Sequence, residues 1–79
     1  MQNVVSLEVI ILYPKLTTAM REHNITEKDI ARVLNIPYTT VRDRTKGEYS
    51  FTFEQAILIN KKLFPGYTSE ELFEVKNKR

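Results

Sequence analysis

The side chains with most to offer chemically lie together between Tyr38 and Lys46. Tyr38, Thr39, Thr40, Arg42, Asp43, Arg44 and Lys46 carry side chains able to hydrogen-bond, and Val41 is the one convincing core residue among them. These are the groups that read base edges in duplex DNA. A guanidinium grips guanine with two hydrogen bonds, a threonine methyl packs on the thymine methyl, and a carboxylate accepts from cytosine. Tyr38, Thr39, Arg42 and Asp43 are therefore the base-contact candidates, although Asp43 equally suits a pair with an arginine. Thr40, Arg44 and Lys46, with the capped helix starts at Thr26 and Thr52, are the phosphate candidates. The plainer reading of each charged residue is a solvated surface position.

Other chemistries find little support. The chain has no cysteine and one histidine, His23, which excludes disulfides, thiolate metal sites and multi-histidine ligation. Glu27, Asp29, Glu70 and Glu71 fall in first turns of expected helices, where acids complement the dipole. There is no glycine-rich phosphate loop, and no serine has a base and an orienting group to match. The expectation is a non-enzyme without metal, cofactor or small-molecule substrate.

The polar run needs a scaffold, and the preceding residues supply one. Thr26 with Asp29 makes a capping box for a helix whose Ile30, Ala31 and Leu34 share one face. Asn35 suits a left-handed C-cap, Ile36 plugs the turn, and Pro37 stops the first helix from running on. The second helix spans about Tyr38 to Lys46 and ends at Gly47.

Upstream, Pro14 opens a helix with a Leu16, Ala19, Met20 and His23 stripe, and Asn24 stops it. Ile25 is placed to staple against Ile30. Downstream, Tyr49 and Phe51 read as loop anchors. A second box, Thr52 with Gln55, opens a helix to about Leu63 whose stripe is Phe53, Ala56, Ile57, Asn60, Leu63 and Phe64, with Leu58 opposite. Pro65-Gly66 breaks the chain, and a third box from Thr68 opens a short helix that closes the core with Leu72 and Phe73. Residues 76–79 read as a solvated basic tail.

At these residues the chain resembles the lambda-type Cro and repressor family. Ala31 matches the small residue at the helix crossing, Ile36 the turn plug and Val41 the buried residue of the recognition helix. Tyr13-Pro14-Lys15-Leu16, Ile36-Pro37-Tyr38-Thr39-Thr40, Phe51-Thr52-Phe53 and Leu63-Phe64-Pro65 resemble small regulators of Gram-positive phages and mobile elements. The likeness covers roughly residues 13–73. It departs at Asn35, where Gly is usual, and at Pro37, where Ser is common.

The expected fold is all-α: a compact four- to five-helix lambda-repressor-like helix-turn-helix domain over residues 13–75, behind an N-terminal apolar extension over residues 1–12. A chain of 79 residues is one small domain, able to bury only ~60% of its unfolded surface. Net charge is +2 with a pI near 9.0, which permits nucleic-acid binding without demanding it. The apolar run from Asn3 to Tyr13 is too short for a membrane helix and has neither a basic leader nor a cleavage site, so a cytoplasmic protein is expected. Its composition suits a strand.

Two functions compete on this scaffold. One is a sequence-specific regulator that reads a double-stranded DNA operator. The other is an antirepressor-like modulator that uses the fold against a partner regulator and has no need of a polar, basic outer helix face. That face is present here, which favours DNA. A homodimer is expected, formed by antiparallel pairing of two N-terminal strands across a two-fold axis; the alternative, in which that segment packs against Leu58 or the last helix of its own chain, leaves the protein monomeric until DNA arrives.

Overall fold

Three capping boxes divide the chain into its main helices. A computed structural model describes residues 10–78 and shows a mostly helical domain with one short two-stranded ribbon. Strand β1 (Ile10–Leu12) leads into helix α1 (Pro14–His23), followed by α2 (Glu27–Leu34), α3 (Tyr38–Thr45), α4 (Phe53–Leu63), α5 (Ser69–Leu72) and strand β2 (Lys76–Lys78). The hydroxyls of Thr26, Thr52 and Thr68 accept from the amides of Asp29, Gln55 and Glu71, whose side chains return the bond to the threonine amides. Each box satisfies two of the amides that a helix start leaves without partners.

Helix ends are equally specific. Asn24 and Asn35 adopt the left-handed conformation at φ 57° and 58°, closing α1 and α2 as C-caps. Asparagine occupies this region at less cost than most residues. Gly47 follows α3 at φ 97°, beyond what a side chain tolerates easily. Pro14 at the first position of α1 loses nothing by lacking an amide.

The core gathers Leu16 and Ala19 from α1, Ile30 and Ala31 from α2, Val41 from α3, Ile59 from α4 and Leu72 from α5. Tyr13, Phe51 and Phe64 complete it from the connections. Tyr13 and Phe51 pack with ring centroids 5.5 Å apart, and Phe73 sits edge-on to both. The Tyr13 hydroxyl accepts from the buried Phe51 amide at 3.0 Å, so the aromatic cluster also satisfies the backbone entering α4. Asn60 donates to the carbonyls of Phe64 and Tyr67, both at 2.8 Å, which holds the turn between α4 and α5.

Several expectations about individual residues are corrected. Phe53 does not line the core; it is 79% exposed, and Ile59 takes the deep position on α4. The reason is tertiary: α4 packs on α2 as well as on α5, and this rotates its buried arc away from Phe53. Of the two loop anchors Phe51 is the buried one, while Tyr49 is 60% exposed beneath the Arg44 guanidinium. His23 is exposed at the end of α1; it bonds the Tyr67 hydroxyl at 3.2 Å and lies edge-on to Phe64.

The largest revision concerns the ends of the chain. β1 pairs antiparallel with β2, Ile10 opposite Lys78 and Leu12 opposite Lys76. Lys76–Lys78 is thus a strand and not a frayed tail, and residues 10–12 find their strand partner within the same chain. The expectations for residues 1–9 and for Arg79 lie outside the described residues. Lys15 and Glu74, 2.8 Å apart, link the start of α1 to the segment after α5. The hydrogen bond and charge of this pair raise the lysine pKa and lower that of the glutamate.

Candidate nucleic-acid interface

Helix α3 joins α2 through a three-residue turn, Asn35 to Pro37. Val41 is its only fully buried residue, at 0% exposure. Pro37 occupies the N-cap position without a side-chain hydrogen bond, so the fixed proline backbone starts this helix where threonine starts α2 and α4. With one buried residue in eight, α3 depends on its neighbours for stability, since short helices are marginal alone.

Those neighbours grip its C-terminal turn. The Thr45 hydroxyl donates to the carboxylate of Glu27 at the start of α2. Arg44 donates from Nε to Gln55 Oε1 at 3.3 Å, reaching the capping box of α4, and its guanidinium lies 6.0 Å from the Tyr49 ring centroid. The same Gln55 oxygen accepts from the Thr52 amide. Two helix starts therefore converge on the last turn of α3.

The base-contact candidates share one surface. Thr39 and Arg42 are exposed, and Tyr38 is 38% exposed at the first helical position. Lys28 of α2 lies over the Tyr38 ring, 5.9 Å from its centroid, within the range of a weak cation–π contact. Asp43 is half-buried and has no ion-pair partner among the described residues, so the arginine pairing considered for it is not formed.

The phosphate candidates divide. Lys46 is exposed and lies 3.9 Å from Glu48 in a loose pair. Thr26 and Thr52 are exposed, but their hydroxyls already serve their capping boxes. Thr40 is half-buried, and Arg44 has partners of its own within the chain.

The sequence did not single out Lys28, Arg32 or Thr45, and it marked Glu27 only as a first-turn acid. The first two lie one turn apart on α2 and, with Asn35 and Tyr38, line a shallow 540 Å³ groove along the α2–α3 turn. Their i, i+4 spacing was the available signal. Arg32 is drawn toward Asp29 in an ion pair. The Asp29 carboxyl is held below the usual carboxylate range, chiefly by the Thr26 hydrogen bonds and secondarily by Arg32.

Lys28, Arg32, Arg42, Arg44 and Lys46 give α2 and α3 five cations. Of the acids nearby, Glu27 and Asp29 are already engaged by Thr45, Thr26 and Arg32. An α-helix with its side chains is about 10–12 Å across, which suits a major groove about 12 Å wide. Among the described residues no group of three or more metal-ligating side chains comes together, and no helix is long and apolar enough to cross a membrane. Compared with protein-family models, with curated proteins and with solved structures, the chain matches none.

Proposed function

We propose that this chain is a sequence-specific double-stranded DNA-binding transcriptional regulator, a repressor of the phage type, reading the major groove with α3. One observation carries the reading: α3 buries Val41 alone and is clasped at its end by two other helices, leaving a polar outer face. A helix that adds so little to the core is retained for the surface it presents. In this role Arg42, Thr39, Tyr38 and Asp43 meet base edges. Lys46 and the helix starts at Thr26 and Thr52 meet phosphates, with Thr40 and Arg44 at the margin. Lys28 and Arg32 extend the basic surface along α2. The protein acts without a cofactor or catalysis, on DNA in the bacterial cytoplasm, as a homodimer whose symmetry matches a palindromic site.

Selection of bound duplexes from a random pool is the test. The expected result is a palindromic consensus whose affinity falls steeply with salt, each phosphate contact adding roughly −0.9 to the log–log slope. Binding no duplex in preference to random DNA would overturn the reading and leave a protein-binding modulator in its place.

A further inference from the structure

Helix α4 carries an outward stripe that the DNA-reading surface does not use. Glu54, Ile57, Leu58 and Lys61 follow one another at i, i+3, i+4 and i+7, the spacing of one helix face. Glu54, Leu58 and Lys61 are exposed, and Ile57 is half-buried. Phe53 stands beside the stripe at 79% exposure, over a 240 Å³ groove that it forms with Ala56, Ile57 and Phe73 and that Ser69 and Glu70 border. Neither Glu54 nor Lys61 has an ion-pair partner among the described residues. Dipole complementarity accounts for an acid at the start of α4 and a base near its end. It does not account for three large apolar side chains beside them.

We infer that this α4 face is the contact with a second copy of the chain, two α4 helices crossing antiparallel about a two-fold axis between Ile57 and Leu58. The stripe is self-complementary in that arrangement alone. Glu54 of each copy falls opposite Lys61 of the other, while the two Ile57 side chains flank the axis on one side and the two Leu58 side chains on the other. A parallel arrangement sets Glu54 against Glu54 and Lys61 against Lys61. The contact is isologous and closes at two copies. Its extent is limited, since an 11-residue helix is only about 16 Å long. That places the interface below the standard ~800 Å² per partner, so the dimer is weak and concentration-dependent. β1 is not required, because its strand partner is β2 of the same chain. The pairing supplies the two-fold partner of the proposed regulator, but association is measured without DNA, so the two readings fail separately.

Sedimentation equilibrium of the full chain tests it with two charge reversals, Glu54→Lys and Lys61→Glu. The wild type is expected to rise from 9.3 kDa toward twice that mass with concentration. Each variant alone sets like charges face to face at both ends and weakens association by at least about tenfold. An equimolar mixture of the two variants restores both pairs and recovers the dimer, a result that misfolding does not produce. Leu58→Arg provides a second reading at an exposed site: a monomeric mass with unchanged circular dichroism. A wild type that stays at 9.3 kDa up to about millimolar concentration overturns the inference. So do variants that associate like the wild type, or a mixture that stays monomeric.

Discussion

Arg42 and Arg44 lie two residues apart on α3, yet their surroundings give them different work. Arg42 is exposed, with no ion-pair partner among the described residues. Arg44 is half-buried between Gln55 and Tyr49, so its guanidinium braces α3 against α4. Under the proposed function, Arg42→Ala costs about 1–3 kcal/mol of binding and relaxes preference at one base pair. Lys46→Ala weakens all sequences alike and flattens the salt slope by about one unit. Competition binding against single-base operator variants at several salt concentrations distinguishes them. Uniform weakening by Arg42→Ala would make that residue a phosphate contact and shift the docking of α3 by part of a turn.

At the scale of elements, the α2 capping box carries a pH signature. The Asp29 carboxylate accepts from the Thr26 amide at 2.8 Å and from the Thr26 hydroxyl at 3.1 Å, and the Thr26 bonds lower its pKa in the folded chain. A carboxyl more acidic when folded than when unfolded adds stability that is fully present above its unfolded value. That stability is lost as pH falls through the folded value. Denaturant unfolding of wild type and Asp29→Asn between about pH 5 and pH 2 is the measurement. The wild-type advantage is expected to be largest at the upper end and to shrink on acidification. An advantage constant across that range would show that charge at Asp29 contributes nothing to holding the start of α2. The stake is more than local, because Glu27 in the same first turn holds Thr45 at the end of α3.

For the whole molecule, the first and last described segments, β1 and β2, pair with each other. Leu12 pairs with Lys76 beside Tyr13, whose ring and hydroxyl anchor the junction to Phe51 and Phe73. A chain beginning at Tyr13 loses β1 but keeps this anchor and every helix. It is expected to retain the helical circular dichroism and the concentration-dependent mass of the full chain. A truncated chain that is helical but monomeric, beside a dimeric full chain, would move the interface into the first twelve residues and away from α4.

Local chemistry made much of this legible from sequence. Three threonine boxes, two left-handed asparagines, one glycine and the prolines marked the helix boundaries, because each acts through its own backbone within a few residues. The polar run from Tyr38 to Lys46 stood out for the same reason, since a helix short of core residues is visible in composition alone. What depended on distant neighbours was not readable. α4 shows two apolar faces, and only its packing on α2 decided that Ile59 goes in while Phe53 stays out. The basic run at the C-terminus has nothing strand-like in it; Lys76–Lys78 is a strand because β1 lies beside it. Arg44 read as a phosphate candidate, and its bond to Gln55 exists only because α4 comes within reach. Capping is short-range and can be read from a few consecutive residues, whereas helix rotation and strand pairing depend on surfaces that meet only when the chain folds.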